Sequence, residues 1–340
     1  MAPHKVCVVG AGVSGLSTAV SIQRELSSNV LVTIVADRFS PDTTSDGSGG
    51  FWGPHLVNPE QAKDINKWGN ETFDYIFDLF RSQHGAEVGA QLISGYCFGD
   101  EDSPFVDKCF GVRRLTEKES AIHPDNRTGQ TLTTMMIDVK AYLPWLMKRF
   151  QANGGIIQKR KISSLDELTS HYDVVVNCTG LESYHLIGDH DLRPVRGQVF
   201  RVHAPWIKHF YIDIDPSNPD NEIYVLPGAR DVVLGGTSQV GDWNTQVNGA
   251  DRDSIWNGCC KLLPSLKNAK ILDEWVGLRP QRTKIRVELE RRQISKERMS
   301  VIVHNYGHGG SGVTLHWGCA QEATRLVTHA LQHLVPKSSL

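Results

Sequence analysis

Val6-Cys7-Val8-Val9-Gly10-Ala11-Gly12-Val13-Ser14-Gly15, followed by Leu31-Val32-Thr33-Ile34-Val35-Ala36-Asp37, decides the fold of this chain. It reads as strand, glycine turn, helix, strand, acid. Gly10 lets the chain turn tightly, Gly12 lets a pyrophosphate touch the backbone, and Gly15 lets the helix close on the strand. The helix N-terminus then offers free N–H groups and the positive end of its dipole to phosphate. Asp37, 22 residues past Gly15, is spaced to accept hydrogen bonds from a ribose hydroxyl. The flanking strands and the acid separate this pattern from a glycine turn without a ligand.

Composition narrows the classes. The 340 residues correspond to about two domains, and 40% hydrophobic with 22% charged residues supports a packed core. A net charge of −2 implies neither an extended nucleic-acid surface nor an anionic membrane as partner. No apolar run has the roughly 18 residues of a spanning helix, and Met1-Ala2-Pro3-His4-Lys5 passes directly into the first strand, so no signal peptide is expected. Seven cysteines, an odd number without repeating spacing, read as reduced intracellular thiols. Cys259-Cys260 is either a redox pair or packing within an apolar helix.

Further along, the first helix runs from Gly15 to about Leu26. The polar, glycine-rich stretch 39–50 is expected to be irregular. Trp68, Phe73, Ile76, Phe77 and Phe80 fall at helical spacing within 59–85, and 90–137 reads as short strands and turns. A helix capped by Asp138 runs to about Asn153, with Pro144 bending it. Asp173-Val174-Val175-Val176-Asn177-Cys178-Thr179-Gly180 suits a central parallel strand whose small last residues admit a ligand. Residues 195–240 alternate like antiparallel strands around an acidic loop with Asp213, Asp215, Asp220 and Glu222, a lid by its length. Finally, Ser300-Val301-Ile302-Val303 leads through a second glycine loop, His304-Asn305-Tyr306-Gly307-His308-Gly309-Gly310-Ser311-Gly312, into an amphipathic helix.

Two glycine loops feeding two helix N-termini suit FAD better than NAD. A helix N-terminus beside the flavin pyrimidine stabilises the negative charge that develops on reduction, whereas a nicotinamide gains none. Arg279, in Gly277-Leu278-Arg279-Pro280, reads either as a surface arginine or as a fork for a carboxylate. Tyr224 reads either as a hydroxyl donor or as an ordinary strand tyrosine. His304 and His308 have metal-pair spacing but no third ligand at helical spacing, so no metal is expected.

At this point the chain resembles the D-amino acid oxidase family, which includes D-aspartate oxidase, over nearly its whole length. The motifs are Val8 to Val13, Ala36-Asp37-Arg38-Phe39, Thr43-Thr44-Ser45-Asp46, Val176 to Gly180, Arg196-Gly197-Gln198, Gly277 to Pro280 and His304 to Gly310. The resemblance implies an α/β protein. A Rossmann-like FAD-binding domain is built from 1–55, 138–192 and 285–340, and an α+β substrate domain on a large mixed sheet from 56–137 and 193–284. It implies FAD contacts from Gly10, Ala11, Gly12, Val13, Ser14, Asp37, Arg38, Thr43, Thr44, Ser45, Gly49 and Gly50. Ile162 belongs to the adenine side, and Gly309, Gly310, Ser311, Gly312, Val313 and Thr314 to the flavin. Arg279 and Tyr224 hold the substrate carboxylate and the Gly310 carbonyl its amino group, with Gly53, His55, Leu226 and Ser238 around the side chain. The implied reaction is oxidation of a D-amino acid by hydride transfer to flavin N5. Dioxygen reoxidises the flavin to give hydrogen peroxide, and the imino acid hydrolyses to a 2-oxo acid and ammonia.

Ser238 stands where D-aspartate oxidases carry an arginine, and the lid is acidic. Neutral, and by extension basic, D-amino acids are therefore expected ahead of D-aspartate. His55 replaces a usual pocket tyrosine, and a second lid tyrosine is missing near 219–221. D-Aspartate oxidase, a sarcosine or glycine oxidase, and a redox sensor without catalysis are the alternatives. Ser338-Ser339-Leu340 resembles the S-K-L address. That makes a peroxisomal import receptor the expected partner and the peroxisome the expected compartment, with the cytoplasm as alternative. A homodimer is compatible with the family.

Overall fold

A computed structural model describes residues 2–99, 107–214, 221–295 and 298–334. Its strands are β1 (His4–Val9), β2 (Val30–Ala36), β3 (Gln91–Phe98), β4 (Phe110–Arg114), β5 (Gly129–Met136), β6 (Ile156–Lys159), β7 (Val174–Asn177), β8 (Arg193–His203), β9 (Phe210–Asp213), β10 (Asn221–Pro227), β11 (Val232–Thr237), β12 (Gln239–Val240), β13 (Lys270–Ser295) and β14 (Arg298–His308). The longer helices are α1 (Val13–Leu26), α2 (Ala62–Arg81), α3 (Val139–Ala152), α4 (Gly249–Leu262) and α5 (Gly312–Gln332). One sheet carries β4-β5-β3-β9-β10-β11-β8-β13-β14-β7-β1-β2-β6 in that order, with β12 paired to β8.

The sheet changes character along its width. From β14 through β7, β1 and β2 to β6 the strands are parallel. From β13 to β9 they are antiparallel. All four residues of β7 are buried between β1 and β14, as its unbroken apolar run requires. β13 joins the two halves, because Gln281 pairs with Arg193 on one side and His308 on the other. The expected domain boundary at 284/285 therefore falls inside one strand, at the irregularity between Gln281 and Arg286.

Two helix layers complete the cores. Apolar residues of α1, α3 and α5 join Val6, Val8, Ile34 and Val176 in one cluster. Phe73, Ile76 and Leu79 of α2 belong to it too, and Trp68 packs with Leu315 and Cys319. Thus α2, assigned from the sequence to the substrate half, lies on the cofactor side, since its apolar stripe meets α5. Under the antiparallel half, Ile255, Cys259 and Cys260 of α4 pack against Phe200, Val202, Val225 and Leu234. That apolar burial settles the cysteine pair as packing, and burial pushes the Cys259 thiol up.

The expected cap is present, with Asp138 accepting from the Lys140 N–H at 3.0 Å, and α3 continues through Pro144. The 39–50 stretch is more ordered than its composition implies. Thr43 and Asp46 close a turn over Thr44–Gly47, and Arg201 donates to the Asp46 and Ser48 carbonyls. The second glycine loop is shorter than expected, because β14 continues to His308 and leaves 309–311 as the connection to α5.

Candidate active site

The carboxyl ends of the parallel strands open into one cavity of about 920 Å³. Its first wall is the turn from Gly10 to Ser14, where β1 becomes α1. A Cβ on Gly15 would stand 2.0 Å from the Gly10 carbonyl oxygen, so only glycine lets α1 start this close to β1. Gly12 offers no side-chain cap, and Ser45 Oγ accepts the Val13 N–H at 3.0 Å. The rest of that first helical turn faces the cavity as an anion cradle. Asp37 and Arg38 line the wall beyond β2, and Arg160, Lys161 and Ile162 line it beyond β6. Thr43, Thr44, Gly49 and Gly50 border the middle, opposite Cys178, Thr179 and Gly180 at the end of β7.

At the far end α5 begins without a side-chain cap, and Gly309, Gly310, Gly312 and Val313 line the cavity. Two helix N-termini thus face one elongated space, a donor arrangement that fits the pyrophosphate and the electron-accepting ring of FAD. Ser311 and Thr314 are off this wall. The Ser311 hydroxyl accepts from the His55 N–H and donates to the His55 carbonyl, at 2.7 and 2.8 Å. Thr314 does the same for Gly53, at 3.3 and 3.1 Å. Both hydroxyls therefore brace the 53–55 segment and do not reach the cavity.

The substrate end is built by strand alternation. Trp275, Gly277 and Arg279 share one face of β13, and Glu222, Tyr224 and Leu226 share one face of β10. Arg279 donates to the Thr237 carbonyl at 2.8 Å, and its charge acts on the neighbouring Tyr224 hydroxyl. Its guanidinium lies over Gly197, where a Cβ would come within 2.4 Å of Nη1. The neighbours of Gly197 in the Arg196-Gly197-Gln198 motif are structural. Arg196, buried, binds Asp251, Gln239, Gln198 and two backbone carbonyls, tying down the loop before α4. Arg279 is therefore not a surface arginine, and Gly53, His55, Leu226 and Gly310 line the same space.

Ser238 does not line the cavity. It is buried with its hydroxyl unpartnered among the described residues, and the neighbouring Thr237 carbonyl is what meets Arg279. The acidic lid is corrected in a similar way. Asp213 points to the opposite face and is held by Arg127 and His123, while Asp215 and Asp220 lie outside the described residues. Glu222 alone of the four is seen in the cavity, with Oε2 3.5 Å from His55 Nε2. Burial, reinforced by Arg279, lowers the His55 pKa to about 3, so the ring is neutral at physiological pH. Burial raises the Glu222 pKa against the opposing pull of Arg279.

Trp52, Trp275, Arg160 and Gly197 also border the cavity and had gone unassigned. Counting by twos from Arg279 and Tyr224 finds Trp275 and Glu222, which is the signal that was available. His304 and His308 are buried, bonded to Glu290 at 2.9 Å and to Asn305 at 3.1 Å respectively. No group of three or more metal-capable side chains occurs among the described residues. No helix there is long and apolar enough to cross a membrane.

The family model for FAD dependent oxidoreductases matches residues 5–326, and the chain belongs to that family. It is 42% identical to D-aspartate oxidase of Homo sapiens over 344 residues, covering 99% of each chain. It is 36% identical to D-amino acid oxidase of Dugesia ryukyuensis over 335 residues, 96% of this chain and 98% of the relative. Glycine oxidase from Bacillus cereus has the same fold, with a TM-score of 0.75 at 17% identity over 96% of this chain and 98% of that one.

Proposed function

We propose that this protein is an FAD-dependent oxidase of D-amino acids that turns over neutral and basic substrates ahead of acidic ones. The overall reaction consumes a D-amino acid, dioxygen and water and yields a 2-oxo acid, ammonia and hydrogen peroxide. The observation that carries this reading is the Arg279 guanidinium, braced by the Thr237 carbonyl and sharing with Tyr224 a cavity that also holds a dinucleotide cradle. When bound, FAD supplies the two-electron acceptor that takes the α-hydrogen as hydride and passes the electrons to dioxygen. In this reading Arg279 and Tyr224 grip the α-carboxylate, and the Gly310 carbonyl receives the amino group; all three residues line the cavity. Fixing those two groups fixes the direction of the α-hydrogen, so positioning is the main contribution of these residues. A substrate amine that arrives neutral needs no side-chain base.

The identity to human D-aspartate oxidase favours the acidic alternative. Against it stands the charge at the substrate end. Among the described lining residues, Arg38, Arg160 and Lys161 follow β2 and β6 at the cofactor end, which leaves Arg279 as the one guanidinium near Tyr224. A second substrate carboxylate would meet Glu222 instead of a second cation, and like charges repel. D-Alanine, D-methionine or D-proline is expected to give a higher kcat/KM than D-aspartate in a peroxide assay. The reverse order assigns the chain to D-aspartate oxidation. Turnover of sarcosine without D-alanine assigns it to the glycine oxidase type, and no peroxide with any amino acid leaves the redox sensor.

The peroxisome is the proposed compartment, supported by Ser338-Ser339-Leu340 alone, which lies outside the described residues. A fluorescent protein carrying this tripeptide at its C-terminus is expected in peroxisomes. A diffuse cytoplasmic signal removes the proposal.

A further inference from the structure

Glu222 is a half-buried carboxylate with no lysine or arginine partner among the described residues. In the antiparallel pairing of β9 and β10, Tyr224 lies opposite Ile212 and Ile223 opposite Asp213. The same alternation sets Glu222 beside Ile214, and Glu222, Tyr224, Ile212 and Ile214 all line the cavity. Asp213, half a period out, turns to the other face and finds Arg127 and His123 there. Glu222 finds His55, which is held neutral, and shares the cavity with Arg279. When a substrate α-carboxylate occupies Arg279, the remaining charge among the described residues of this end of the cavity is the Glu222 carboxylate.

We propose that Glu222 is a specificity-determining residue that selects D-amino acids whose side chain ends in a guanidinium or ammonium group. The proposal rests on the oxidase reading above and names its substrate class. The cation neutralises Glu222, which no cation among the described residues pairs, and it donates the hydrogen bonds that a half-buried carboxylate requires. Ile212, Ile214 and Leu226 give the aliphatic stem an apolar wall, while the α-carboxylate stays on Arg279. The raised pKa of Glu222 fits a carboxylate that lacks its counter-charge until substrate arrives.

The test compares D-arginine with D-citrulline, which has nearly the same shape and no charge on its side chain. The wild-type enzyme is expected to favour D-arginine by about tenfold or more in kcat/KM, within the range measured for close buried charge pairs. Glu222→Gln should bring that ratio toward one. A binding measurement runs beside it. In FAD-loaded protein, 5-guanidinopentanoate should bind more tightly than hexanoate by a similar factor, read from the perturbed flavin spectrum, and the difference should vanish in Glu222→Gln. Ratios near one in the wild type overturn the proposal without any variant. Ratios that are large but equal in both forms overturn it too, because the preference for the cation would then come from a group other than Glu222. D-Alanine turnover separates the two levels. If D-alanine is oxidised while the ratios are near one, the cation site fails and the oxidase stands. If nothing is oxidised but the guanidino acid binds Glu222-dependently, the oxidase reading fails and the cation site stands.

Discussion

Arg279→Leu is expected to lower kcat/KM for D-alanine by roughly 30-fold to several thousand-fold. Removing one partner of a buried charge pair costs about 2–5 kcal/mol, and a factor of ten corresponds to about 1.4 kcal/mol. The loss should be large here because no described side chain nearby substitutes for the guanidinium. Thr237 contributes a carbonyl, Tyr224 a neutral hydroxyl and His55 a ring held neutral, while Glu222 repels the carboxylate. Leucine fills similar volume without a donor, so the effect reads charge and hydrogen bonding rather than a cavity. Tyr224→Phe is the internal comparison. It removes one hydrogen bond to the carboxylate, worth about 1.5–3 kcal/mol, and leaves the ring packed over Gly235. Steady-state kinetics on FAD-saturated proteins check both. Near-normal D-alanine turnover by Arg279→Leu would falsify the carboxylate anchor, and a greater loss in Tyr224→Phe would reverse the ranking.

How much of this site was legible in the sequence depends on how local the physics is. The Gly10 to Gly15 turn could be read because its requirements are met within one strand, one turn and one helix. β7 could be read because a strand buried on both faces leaves an uninterrupted apolar run at 174–176. Arg279 was reached through its resemblance, not its neighbours, since Gly197, which makes room for it, comes from another strand. Glu222 was visible as one acid among four in a loop. The register of β10 against β9 turns it inward and Asp213 outward, and pairing register is a long-range property. Ser238 failed for a related reason. β11 ends at Thr237, so alternation does not carry past it, and the backbone of Thr237 takes the position expected of the next side chain. Ser311 and Thr314 sit correctly at the start of α5, but their hydroxyls answer the 53–55 backbone, more than 250 positions away.

Acid should unfold this protein well before its carboxylates are all protonated. His304, His308 and His316 are buried, and desolvation lowers each pKa to about 4. Arg286 lowers His304 further while Glu290 opposes it, and the Val313 carbonyl opposes the shift at His316. In the unfolded chain each ring titrates near 6.5. Between those values the unfolded state binds protons that the fold refuses, so stability falls as pH falls from about 6.5 to about 4. Each ring contributes about 1.4 kcal/mol per pH unit across that window. Three together reach the order of 5–10 kcal/mol, comparable to the whole stability of a typical domain. Glu222 and Glu71, with raised pKa values, act the other way near the acid end, while Glu290 and Asp189, held low, add to the loss once they begin to protonate. Melting temperatures of the FAD-loaded protein should change little from pH 8 to pH 7 and drop steeply from pH 6.5 to pH 5. His308→Gln keeps a donor toward Asn305 Oδ1, 3.1 Å from the ring nitrogen, and cannot titrate. It should flatten the acid limb by about one quarter of the slope, taking these three rings and His55, itself lowered to about 3, as equal. A wild-type melting temperature that is level from pH 7 to pH 5 would show that these histidines are not held neutral by burial.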